Sequence, residues 1–140
     1  MSIDEDASQF NWMLNSFVKD TAGVTDAVAV SSDGLLMAMS NTLDESGADQ
    51  VAAIISGFVS LGAGATRCFG FEDMNQIIVA MKGGYLFVSS MSTAGCLGVV
   101  ATPRCDIGNV GYQMALLVER AGAMLTPELV TELKTLVLTR

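Results

Sequence analysis

Residues Asp26–Ser40 read DAVAVSSDGLLMAMS, two short apolar runs separated by Ser32, Asp33 and Gly34. Asp and Gly supply the backbone angles of a tight turn, so the segment predicts a β-hairpin with strands over Asp26–Ser31 and Leu35–Ser40. The same quartet sets hydroxyls beside a carboxylate, which is also how a reactive centre can begin. The chain has no histidine, and with it go the usual neutral-pH general base and the commonest metal ligand. Ser31 and Ser32 therefore lack a base to activate them, and Asp33 and Gly34 are read as structural turn residues.

Upstream, Phe10, Met13, Leu14, Phe17 and Val18 recur at helical spacing, an amphipathic stripe that Gly23 is placed to end. Residues 1–9 carry Asp4, Glu5 and Asp6 and read as a solvated, flexible acidic tail. Downstream, Asp44, Glu45 and Ser46 suit a helix N-terminus, and a second helix is expected to run to about Arg67. From Met74 the period changes. NQIIVAM and YLFVSSM flank Lys82, Gly83 and Gly84, a second hairpin with the two glycines as turn residues. Ile77, Val79 and Met81 alternate with Ile78 and Ala80, apolar on both faces, as in a sheet covered by helices on both sides.

Cys96–Ala101 is a fifth strand closed by Pro103. Val110, Met114, Leu117, Val118 and Ala121 form a third helical stripe that runs into Gly122. Thr126 and Pro127 then start a last helix over about 126–138, with Leu129, Val130, Leu133, Leu136 and Val137 as its buried face. The organisation expected is a tail over 1–9 and one domain over 10–140, folded as an α+β, three-layer α/β/α sandwich.

Seven Lys+Arg against fifteen Asp+Glu give a net charge of −8, the reverse of what nucleic acid or an anionic lipid surface requires. A hydrophobic content of 51% with 16% charged residues implies apolar surface covered by another chain. Cys68, Cys96 and Cys105 form no Cys-x-x-Cys pair, and their odd number, with an acidic N-terminus instead of a basic-then-apolar leader, reads as reduced, buried thiols of a cytoplasmic protein. Gln50–Thr66 is uncharged, but it is 17 residues long and holds three glycines and four polar side chains. It falls short of about 20 predominantly apolar residues, so no membrane insertion is expected. Gly57–Gly64 echoes a phosphate loop without its Lys-Ser/Thr. Arg67, Arg104 and Arg120 read as surface residues, and no metal, cofactor or catalytic residue is expected.

The second helix is unusual in having no charged face. At about 100° per residue, Val51, Ile54, Ile55, Phe58, Val59 and Leu61 share an arc assigned to the sheet. Ala52, Ala53, Ser56, Gly57, Ser60, Ala63 and Gly64 lie on the other side, and the small residues at 53, 56, 57, 60 and 64 let a second helix come close. Interior glycines cost about 1 kcal/mol each relative to alanine and call for a compensating contact. The third strand, with no proline or inward charge to blunt an edge, suits pairing with another chain. Ala53, Ser56, Gly57, Ser60 and Gly64, with Asn75, Ile77 and Val79, are therefore the expected dimer or partner interface.

Gly23–Leu36, GVTDAVAVSSDGLL, together with the Gly83-Gly84 hairpin and the order of elements, resembles the roadblock/dynein light chain family, related to longin domains. The likeness spans about Phe10–Arg120. It is nearest to the actinobacterial members encoded beside a sensor-kinase-like protein and a small Ras-like GTPase, a group that Gly111–Val118 and Leu125–Leu129 also fit. The resemblance implies a five-stranded antiparallel sheet in the order 2-1-5-4-3, with helix two on one face and helices one and three on the other. It also implies homodimers joined strand three to strand three and helix two to helix two. The implied function is regulation of a Ras-like small GTPase by a protein without chemistry of its own. The alternative is a pure scaffold that tethers a sensor-kinase complex and leaves nucleotide turnover unchanged. The implied location is the cytoplasm, with any recruitment to a membrane made by a partner.

Overall fold

The computed structural model describes residues 2–139. In chain order it contains α1 (Ile3–Asp20), β1 (Val24–Ser31), β2 (Leu36–Met39), a 3-10 turn at Glu45–Gly47, α2 (Ala48–Phe69), β3 (Ile77–Met81), β4 (Gly84–Ser92), β5 (Gly95–Ala101), α3 (Ile107–Met124) and α4 (Pro127–Leu138). The strands form one antiparallel sheet in the order β2-β1-β5-β4-β3. This is the fold that the sequence led us to expect.

The first hairpin closes as the turn chemistry demands. Gly34 sits at φ +83, a conformation that only glycine adopts without strain, and its amide donates to the Ser31 carbonyl at 2.9 Å. The Ser31 hydroxyl donates to Asp33 and also to the Leu35 carbonyl. Ser31, and after it Lys134, hold the Asp33 carboxyl below its ordinary value of 3.8. The second hairpin turns on Lys82 and Gly83, while Gly84 pairs with Met81 as the first residue of β4.

Two apolar clusters fill the two faces of the sheet. On one, Phe10, Met13 and Leu14 of α1, Met114 and Leu117 of α3, and Leu129 and Leu133 of α4 pack against Ala27, Ala29, Phe87, Leu97 and Val99. On the other, Ala48, Ala52 and Ile55 of α2 pack against Val28, Val30, Val88 and Cys96. Alternate residues of β1 enter opposite clusters because side chains of a strand point alternately to its two faces. The stripe expected on α3 is buried at Val110, Met114, Leu117 and Ala121.

Several expectations need correction. The acidic segment is not a flexible tail. Residues 3–9 are the first two turns of α1, with Ser2 as N-cap accepting from the Glu5 amide at 3.2 Å. Asp4, Glu5 and Asp6 occupy the first helical turn, where carboxylates meet the positive end of the helix dipole. Ala7 is fully buried in the α1 cluster. On α2, Ile54 and Leu61 do not face the sheet, being 46% and 72% exposed, whereas Ala52 is buried. β3 is not covered on both faces, since Ile78, Ala80 and Met81 are exposed. Leu136 of α4 is also exposed.

Candidate functional site

The face that distinguishes this molecule is the outward side of α2 and the edge beside it. α2 is a single helix of 22 residues. Asp49 lies in its first turn, and Gly70 ends it in a left-handed cap, after which the Phe71 amide reaches back to the Thr66 carbonyl at 2.9 Å. By length and composition α2 is long and apolar enough to cross a membrane. In the fold it lies across the sheet instead, with Ala48, Ala52 and Ile55 buried and Val51, Phe58 and Val59 half-buried against the same cluster.

Its outer side carries Gln50, Ile54, Gly57, Leu61, Gly64 and Cys68, recurring at alternating spacings of four and three. That is the a/d repeat of a helix–helix seam. All are exposed except Gly64, which is half-buried. Leu61 projects from the middle of the stripe, and a side chain added at Gly57 would meet nothing within 4 Å. The stripe is thus a knob bordered by two gaps, and it carries no charge between Gln50 and Thr66.

β3 pairs with β4 on one side only, from Ile77 opposite Val88 to Met81 opposite Gly84. Its other edge is open. It has no proline and no inward charge, so nothing in its sequence discourages a further strand. Phe69 and Phe71, both exposed with ring centroids 5.7 Å apart, mark the C-terminal end of α2.

The eight residues expected at the interface fall into three groups. Ala53, Gly57 and Ser60 are exposed on the outer half of α2, and Gly64 is half-buried on the seam itself. Ser56 is half-buried. With Ser60 it lines a cleft of about 160 Å³ rich in hydroxyls, to which Ser31, Ser32, Ser90, Ser92 and Thr93 also contribute. Ile77 and Val79 lie in β3, both half-buried, and Ile77 packs against the α2 cluster. Asn75 precedes the strand, and its carbonyl accepts from the Ser89 hydroxyl at 3.0 Å. The sequence reading missed Ile54 and Leu61 as surface residues. The heptad spacing through them was the signal that could have revealed it.

Chemistry has little to work with on this face. Among the described residues no three His, Cys, Asp or Glu side chains gather as metal ligands. Of the three thiols, Cys68 is exposed, Cys105 half-buried and Cys96 buried, so the expectation of three buried thiols holds in full only for Cys96. Burial pushes the Cys96 thiol up to about 11, keeping it protonated at neutral pH. In the native protein at about pH 8, iodoacetamide should modify Cys68 and leave Cys96 untouched, at least about 100-fold slower. Mass spectrometry of peptides after timed quenching would show this, and equal labelling of the two would contradict the burial of Cys96.

The family model for the Roadblock/LC7 domain matches residues 10–101, about two thirds of the chain. The chain belongs to the Roadblock/LC7 domain family. A solved Roadblock/LC7 domain from Streptomyces avermitilis is 37% identical, with a TM-score of 0.74 over 79% of this chain and 92% of that one. MglB from Myxococcus xanthus, 14% identical, shares the fold with a TM-score of 0.77 over 86% of this chain and 92% of its own. Profilin II from Acanthamoeba castellanii shares it more distantly, at 16% identity and a TM-score of 0.56 over 81% of this chain and 97% of that one. Comparison with curated protein sequences gives no match. In this Roadblock/LC7 domain α3 and α4 both lie beyond the matched residues.

Proposed function

We propose that this Roadblock/LC7 protein is a homodimeric regulator of a small Ras-like GTPase, acting through surface and without a catalytic site of its own. The observation that carries the reading is the uncharged heptad seam on α2 lying beside an open β3 edge. A helix that buries one side on its sheet normally turns charge to solvent on the other. Here the outer side offers Ile54, Gly57, Leu61 and Gly64 instead, and a second copy supplies the complementary surface. Two such copies join α2 to α2 and β3 to β3, in a two-fold arrangement where each patch meets itself. A solved MglB has a tetrameric arrangement, and self-association of that relative supports the same capacity here.

The GTPase enters through the family resemblance, and membership of the Roadblock/LC7 family is what supports it. A regulator of this kind reshapes the nucleotide site of its partner, which is consistent with a chain that has no histidine. A sensor-kinase-like protein is the proposed second partner. The proposed location is the cytoplasm, and a partner provides any membrane recruitment. The test is to add the purified protein to a candidate Ras-like GTPase loaded with GTP and to follow hydrolysis and nucleotide exchange. A regulator changes one of these rates in proportion to its concentration. Binding without any change in either rate would replace regulation by scaffolding.

A further inference from the structure

The two edges of the sheet are treated differently. β3 is open, whereas β2, at the opposite edge, is four residues long and wholly buried, Met37 and Ala38 to 1% or less. Helices on the two faces of a strand bury its side chains, and an element that also packs against it at the sheet's rim covers its edge. α4 does so. Its Leu129 and Leu133, 1% and 0% exposed, enter the cluster on the α1 face together with Ala7, Phe10 and Met37. Val137, one turn further along, packs against the cluster on the α2 face. These clusters lie on opposite faces of the sheet, so α4 passes from one to the other around β2. At the crossing, Lys134 donates to the Asp33 carboxylate at 3.2 Å and ties the helix to the β1–β2 turn.

We propose that α4 is an edge cap that denies β2 to strand addition by a second copy of this chain. The strand beneath it, LMAM, is apolar and has no proline, lysine or other charge, and such a strand left bare is a template for pairing. A protomer able to pair at both β2 and β3 would extend one sheet through successive copies without closing. With β2 covered, association is confined to the β3 side and stops at the dimer. The last statement rests on the dimer reading above, but the capping of β2 does not. The cap is also releasable by design of its parts. A helix of 12 residues is too short to be stable alone and is held in place by its docking.

The test uses the full chain with Leu133→Asp, which sets a carboxylate in the apolar cluster and drives α4 off. Amide hydrogen exchange should accelerate about tenfold or more both in α4 and at Leu36–Met39, while β5 stays protected. Sedimentation should then show species larger than twice the 14.6 kDa protomer, increasing with concentration. Leu129→Ala combined with Leu133→Ala loosens the same docking without burying a charge. It should move both readouts in the same direction, and it stands as the test if the aspartate variant loses protection throughout. Release of α4 with β2 still protected, or with the size distribution of the wild type, would overturn the proposal. The same replacement in a Leu61→Asp background separates the two readings. Pairs joined through β2 and nothing larger support the cap whether or not the wild type dimerises through α2, and monomers alone overturn it.

Discussion

Leu61→Asp is expected to turn the proposed dimer into monomers while leaving each protomer folded. The residue is 72% exposed and lies outside the buried cluster beneath α2, so its loss costs the fold little. In a helix pair it sits at the centre of the seam between Gly57 and Gly64. There the new carboxylate must give up water without gaining a partner, and it does so once in each copy. Truncation or charging of a central, well-packed anchor costs about 3 kcal/mol, equivalent to roughly a 100-fold rise in the dimer dissociation constant. Gly57→Glu should act in the same direction, because a side chain at that position has open space around it in the protomer. Analytical ultracentrifugation across micromolar concentrations measures the shift, with circular dichroism confirming an unchanged fold. A wild type that is monomeric there, or a Leu61→Asp variant with unaltered association, would show that the α2 seam is not the self-interface.

Gly122→Val is expected to produce a large loss of stability. Gly122 lies in α3 where the helix backbone comes directly onto β4. A Cβ at this position would collide with the Met91 carbonyl oxygen and lie 3.1 Å from its carbonyl carbon. Met91 is itself buried and belongs to the cluster that Met114, Leu117 and Ala121 share, so a shift of either backbone loosens that packing. Overpacking of this kind, with backbone as the obstacle, costs about 3 kcal/mol. For a domain of this size that is a fall of roughly 10 °C in melting temperature. Gly122→Ala meets the same oxygen and should fall by a somewhat smaller amount. A melting curve within about 2 °C of wild type for the valine variant would mean that α3 can rise from β4 at almost no cost. The two predictions are independent, since one residue lies on the surface of α2 and the other lies on the far face of the sheet.

Much of the architecture was legible because its determinants are local. The Asp33-Gly34 turn could be read from two residues, and Gly34 adopts the positive φ that such a turn uses. The α3 stripe at Val110, Met114, Leu117, Val118 and Ala121 had a clean helical period and is buried except at Val118, which is half-buried. Thr126 caps α4 through the Leu129 amide at 3.1 Å, as its position before Pro127 suggested. The start of α1 was misread for a definable reason. Ile3 and Ala7 continue the helical stripe upstream of Phe10, but a small residue amid three acids gives little apolar signal by itself.

The candidate face was only half legible. The absence of charge from Gln50 to Thr66 showed that α2 has no polar face, yet the wheel assigned Ile54 and Leu61 to the wrong side. When both sides of a helix are apolar or small, periodicity shows that the two sides exist without showing which one meets the sheet.

The sequence by itself determined the order of helices and strands, the two hairpins and a helix without a polar face, because turn residues and periodicity act over a few positions. The tertiary structure decided which stripe of α2 is left to solvent, because the choice depends on how Ile55 and Ala52 fit the sheet and not on hydrophobicity alone. It also decided which edge of the sheet is open. That depends on where α4 comes to rest, which Leu129 and Leu133 decide by packing with Ala7, Phe10 and Met37, residues too distant in the chain for any local pattern to reach.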